Sequence, residues 1–156
     1  MDSLSQYLNL NWGTLEYPWW SDLDANIDIE EVIGSIAEEQ PDLIVAKSIG
    51  TLFTTLAFTR GLIRPKAIVF LGIPLKSIES SEIDAIRALS EDDGTHFLIV
   101  QQTDDILGSY SEVAELFSGR NVTLFEILGN DHMYDQFDIL AHTIEDWLNT
   151  QLTITG

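Results

Sequence analysis

Cysteine is absent from the 156-residue chain, which removes disulfides, thiolate nucleophiles and Cys-based zinc sites and leaves the redox compartment unspecified. Basic residues are scarce: Lys and Arg total 7 against 26 Asp and Glu, a formal charge of −19. The acids are spread along the chain rather than gathered into a tail, so their field repels phosphate backbones and anionic membrane surfaces. Nucleic-acid and membrane partners are therefore disfavoured. Such a surface is strongly hydrated, and it also suits high salt, where screening suppresses self-repulsion. No apolar run approaches the roughly 20 residues that span a bilayer, and the start Met1-Asp2-Ser3 lacks the basic and then apolar segment of a secretory signal. The expectation is a cytoplasmic protein. Neither a Walker sequence nor G-x-G-x-x-G occurs, so nothing supports a bound nucleotide, and no other cofactor or metal is implied.

What the chain does have is a hydrophobic fraction of 45%, enough for one domain with its own core. We take residues 1–150 as that single domain and 151–156 as a frayed C-terminal tail. Strand and helix signals alternate, which predicts a mostly parallel sheet of about five strands with helices on both faces. Trp12–Tyr17 is a first strand candidate. Asp28 with Glu31 three positions on marks a helix start, with Ile29, Val32, Ile33, Ile36 and Ala37 on one face before Pro41 closes it. Leu52, Phe53, Leu56 and Ala57 mark the buried side of a second helix that stops near Arg60-Gly61. Lys66–Ile73 is a continuous apolar strand, as in sheets covered on both faces. Ser81 with Asp84, and Ser109 with Glu112, open two more helices, ending near Ser90 and at Gly119, and Phe137, Leu140, Ala141, Ile144 and Leu148 make a last amphipathic one.

The stretch Asp42-Leu43-Ile44-Val45-Ala46-Lys47-Ser48-Ile49-Gly50 is a strand running into a small-x-Ser-x-Gly turn, with a helix beginning directly after it. A turn that lifts a serine hydroxyl above the end of a parallel sheet tolerates only small side chains two positions to either side, because backbone passes close there. Ala46 and Gly50 meet that demand. Alone, Ser48 reads equally well as a helix N-cap. A nucleophilic serine also needs a base and an orienting carboxylate, which in this kind of sheet follow in the order Ser, acid, His at later strand ends. The strand His96–Gln102 empties into Thr103-Asp104-Asp105, and Val122–Leu128 empties into Gly129-Asn130-Asp131-His132. Asp104 and Asp105 have a structural alternative as acids at a helix start. His96, which precedes its strand, and His142, inside the last helix, are poor rivals to His132.

These motifs resemble those of the small α/β-hydrolases, whose compact members carry K-S-x-G at the serine, V-Q-G-T-x-D-x-x-G-S at the acid and G-x-D-H at the histidine. The corresponding segments are Ala46–Gly50, Val100–Ser109 and Gly129–His132, and the resemblance extends over most of the chain from about Asp42. It implies an α/β fold, a reduced three-layer sandwich, and a serine hydrolase of a small ester, thioester or amide. Ser48 would be the nucleophile, His132 the base, and Asp105 rather than Asp104 the acid. Ala46 stands where the family usually has Gly, and so does Gln102.

The resemblance also implies two oxyanion donors. One is the backbone N–H of Ile49. The other normally comes from a Gly-rich or His-Gly loop after a first strand, and no such loop precedes Ser48. Losing one donor costs on the order of 2.7 to 4 kcal/mol of transition-state stabilisation. A hydrolase-derived binding module is therefore the competing expectation. With the strand that usually lies between them missing, Trp12–Tyr17 is expected to pair in parallel directly with Leu43–Lys47, or else to leave an edge that favours a homodimer. Trp12, Tyr17, Trp19 and Trp20 would fill the space, line an acyl pocket or cover that edge.

Overall fold

The computed structural model describes Leu4, residues 28–118 and residues 120–155. The strand expected at Trp12–Tyr17, with Trp19, Trp20 and the helix stop at Gly119, lies outside the described residues.

Helix α1 (Ile29–Glu39) starts at Asp28, whose Oδ1 accepts the Glu31 N–H at 3.2 Å. It stops at Gln40, which turns left-handed at φ 41 and donates from Nε2 to the Ala37 and Leu62 carbonyls; Pro41 cannot continue the helix. Strand β1 (Leu43–Lys47) leads into α2 (Ile49–Thr59). Gly61, at φ 75, closes α2: its N–H reaches the Phe58 carbonyl and that of Leu62 reaches Ala57, both at 3.0 Å, the paired bonds that spare a helix end its unmet carbonyls.

Strand β2 (Ala67–Leu71) is buried along its whole length. A single 3-10 turn, Leu75–Ser77, precedes α3 (Ser80–Leu89). Here the expected start at Ser81 is corrected: Glu79 is the cap, and its N–H is met by Glu82 Oε1 at 2.8 Å, because a glutamate three positions on can fold back where Asp84 cannot. Strand β3 (His96–Gln102), helix α4 (Tyr110–Phe117, capped by Ser109) and strand β4 (Thr123–Ile127) follow.

Among the described residues the sheet has four parallel strands in the order β1-β2-β3-β4, with Lys47 level with Leu71, Leu71 with Val100, and Gln102 with Ile127. A sheet that grows steadily in one direction through right-handed crossovers puts every connecting helix on the same face. The core agrees: Ile33, Phe58, Ile86 and Phe117 from the four helices pack with Ile68, Phe70, Phe97 and Ile99. Phe97 meets Phe70 edge-on at 5.0 Å between ring centroids and Phe117 at 6.4 Å. Val69, Leu98 and Val100 point the other way and are equally buried, so both faces of the central strands are dry. That is why these strands are apolar without alternation.

The chain forms two compact units, residues 28–132 and residues 1–27 with 133–156. To the second belongs α5 (Phe137–Thr155), whose buried Leu140, Ala141, Ile144, Trp147 and Leu148 form one stripe. It runs through the segment expected as a tail, since no Gly or Pro interrupts it before Gly156. Among the described residues no helix is long and apolar enough to cross a membrane.

Candidate active site

Ser48 directly follows the last residue of β1. Its N–H still donates to the Leu71 carbonyl at 3.1 Å, as a further rung of the ladder, but its backbone turns to φ 53, ψ −123. That conformation is the one a glycine would prefer, and it throws the hydroxyl clear of the sheet. Thr51, fully buried, holds the turn from the first coil of α2: its N–H and hydroxyl both donate to the Ser48 carbonyl, at 3.0 and 2.7 Å. Ala46, two positions before the serine, is buried, with its methyl in the apolar core. Ile49 is the first residue of α2, so its backbone N–H is one of the helix donors that lack an intrahelical acceptor.

Parallel strands bring their carboxyl ends together, and the loops after β3 and β4 therefore meet Ser48. Asp105 is buried, and its two carboxylate oxygens have separate tasks. Oδ1 accepts the Leu107 N–H at 2.8 Å, closing a tight turn. Oδ2 lies 2.7 Å from His132 Nδ1. His132 Nε2 lies 2.8 Å from Ser48 Oγ. A carboxylate can only accept, so Nδ1 carries the proton and Nε2 accepts from the serine hydroxyl. His132 adopts φ 63, a left-handed conformation that histidine enters more readily than most residues. Asp104 is exposed and contributes its N–H to the Gly129 carbonyl at 3.0 Å.

The structure thus brings Ser48, His132 and Asp105 into one hydrogen-bonded chain and puts Ile49 beside the first. His96 begins β3 and so lies at the opposite edge of the sheet, while His142 pairs within α5 with Asp146 at 3.2 Å. Among the described residues no group of three or more His, Asp or Glu side chains could hold a metal ion.

Three residues at the site do not stand out in the sequence as parts of it. Thr51 is one. Gln101, fully buried, accepts the Ile73 N–H at 2.9 Å and donates to the carbonyls of Ile73 and Gly108 at 3.2 and 2.7 Å, fastening the acid loop to the end of β2. Gln102 turns toward the histidine loop. The available signal is two amides closing an apolar strand, since a buried polar side chain must find partners.

No family model and no curated protein matches the sequence. Among solved structures, the chain is similar to a Xanthomonas campestris pv. campestris protein provisionally described as a hydrolase of the alpha/beta superfamily. The TM-score is 0.60 and the identity 13%, over 83% of this chain and 73% of that one. At that identity the likeness speaks for architecture: the chain has an α/β fold with a parallel sheet, similar to the fold of that protein.

Proposed function

We propose that the protein is a serine hydrolase acting on a small ester, thioester or amide. The observation that carries this reading is the continuous chain from Ser48 Oγ through the His132 imidazole to Asp105, at 2.8 and 2.7 Å. Ser48 Oγ attacks the substrate carbonyl carbon while its proton passes to His132 Nε2. Asp105 holds the imidazole in the required tautomer and offsets the charge it gains. The carbonyl oxygen, now anionic, is met by the Ile49 N–H. His132 then returns the proton to the leaving group, and water repeats the sequence in reverse to free the acid and Ser48. These steps use only residues of this chain and no cofactor.

A net charge of −19 favours an uncharged or cationic substrate over an anionic one. The same charge argues against nucleic acid as a partner, and retardation of duplex DNA in a low-salt gel would contradict it. A cytoplasmic site of action is part of the proposal.

The second reading, a hydrolase-derived binding module, draws on residues 1–47, which hold no Gly-rich or His-Gly loop to supply a second oxyanion donor. A fluorophosphonate probe separates the two. Labelling of the wild-type protein that disappears in Ser48→Ala and His132→Ala supports the hydrolase. A folded wild-type protein that stays unlabelled supports the module.

A further inference from the structure

Gln102 closes β3 and is almost wholly buried. Its Oε1 accepts the backbone N–H of Asp131 at 3.1 Å and that of His132 at 2.9 Å, and its Nε2 donates to Asp131 Oδ1 at 3.0 Å. The orientation of this amide is not arbitrary. Two main-chain N–H groups can be met only by the oxygen and a carboxylate only by the nitrogen, so all three bonds require the same one.

Space for the side chain comes from Gly129. A Cβ there would fall 2.7, 2.8 and 2.9 Å from Gln102 Cδ, Nε2 and Cγ, closer than real contacts allow. Gln102 and Gly129 are thus a matched pair: the amide occupies the volume that any other residue at 129 would fill.

His132 is held through its own N–H on Gln102, Nδ1 on Asp105 and Nε2 on Ser48. The imidazole bonds set where the ring points once its main chain is in place. Fixing that main chain, at φ 63 and in a loop with no regular structure, is a separate task. We propose that Gln102 is the positioning residue that performs it, clamping the Gly129–His132 loop so that Nε2 stays on Ser48. Its catalytic consequence rests on the serine-hydrolase reading, whereas the clamp itself can be read without turnover.

The test compares Gln102→Gly, Gln102→Glu, Gly129→Ala and the double variant Gln102→Glu/Asp131→Asn. Measurements are the rate of fluorophosphonate labelling, amide hydrogen exchange at Asp131 and His132, and the ring nitrogen shifts of His132. A displacement of the base by about 1 Å costs on the order of a hundredfold in rate. Gln102→Gly should therefore label about a hundredfold more slowly while its far-UV spectrum stays native, with faster exchange at both amides. Gln102→Glu keeps the acceptor but sets a carboxylate against that of Asp131, and should also be slow. The double variant restores the side-chain bond with its direction reversed, the amide introduced at position 131 donating to the carboxylate introduced at position 102, and should regain most of the lost rate. Gly129→Ala should slow labelling in the wild-type background and have no added effect in Gln102→Gly, where the conflict is gone.

Wild-type labelling by Gln102→Gly with unchanged exchange would overturn the proposal, as would a double variant no faster than Gln102→Glu. If Gln102→Gly does not fold, Gln102→Glu and the double variant carry the comparison. A wild-type protein that does not label would sink the hydrolase reading alone. The clamp is then decided by His132: ring nitrogen shifts that move in Gln102→Gly support it, and shifts that stay put overturn it.

Discussion

The turn that carries Ser48 and the loop that carries His132 reach the same spot by different means. Ser48 is the first residue beyond β1, and its N–H still bonds to the Leu71 carbonyl. The sheet register itself places its backbone, with the Thr51 hydroxyl as an added tie to its carbonyl. His132 lies well beyond the end of β4, a strand whose Thr123, Phe125 and Glu126 are exposed where β2 is buried throughout. The ladder reaches its loop only as far as Gly129, whose carbonyl accepts the Asp104 N–H, and beyond that the side chains of Gln102 and Asp105 fasten it. A short connection takes its precision from hydrogen bonds that any sequence can make. A longer one needs particular residues.

Breaking the chain at either reacting end should have the largest effect. Ser48→Ala and His132→Ala are each expected to lower turnover on the order of a millionfold, because nucleophile and base act as a unit. Thermal unfolding should still give a cooperative transition for both. Asp105→Asn comes next, with a loss on the order of ten-thousandfold, because an amide at that position no longer demands the proton on Nδ1. Steady-state kinetics on an activated ester checks the order. An Asp105→Asn variant as active as wild type would mean that Oδ1, bonded to the Leu107 N–H, is the only oxygen of Asp105 that matters.

The two regions also differ in how far the sequence discloses them. Ser48 is legible because the small residues Ala46 and Gly50 flank it between a strand and a helix, a local demand of the backbone that leaves a local mark. His132 is legible through its place after an apolar strand, whereas the same placement leaves Asp104 and Asp105 level, and the register of the resemblance singles out Asp105. Gln101 and Gln102 are not legible, because partners such as Gly108 and Asp131 are fixed only once the strands are paired. Gln102 stands out only as a departure from Gly. The parallel sheet follows from the alternation of elements, whereas the cap of α3 does not: Ser81 is the better capping type, yet Glu79 has Glu82 in reach. The end of α5 is hidden for want of any stop signal before Gly156.

Gln101 and Gln102 sharpen the contrast, since neighbours on a strand point to opposite faces. Gln101→Leu would leave the Ile73 N–H and the Gly108 carbonyl buried without their present partner. The expected destabilisation is about 1 to 3 kcal/mol, read as a lower midpoint in urea with unchanged slope. Gln102→Gly is expected to act more on labelling rate than on the midpoint. Equal effects of the two on both measurements would mean that they are interchangeable parts of one polar layer.

The smallest effect, and the one most particular to the serine turn, concerns its backbone. At φ 53, ψ −123 Ser48 occupies a conformation that costs a residue with a Cβ about 1 to 3 kcal/mol. Ser48→Ala keeps that Cβ and the strain with it. Ser48→Gly releases the strain, at a cost of up to about 1 kcal/mol from the greater freedom of glycine in the unfolded chain. Both variants lose the hydroxyl and its bond to His132, so their difference isolates the backbone term. Ser48→Gly should melt higher than Ser48→Ala by a few degrees, at roughly 2 to 4 °C per kcal/mol for a chain of this size. Equal melting temperatures would mean that the turn stores no strain, and that its conformation is held only by the Leu71 and Thr51 bonds.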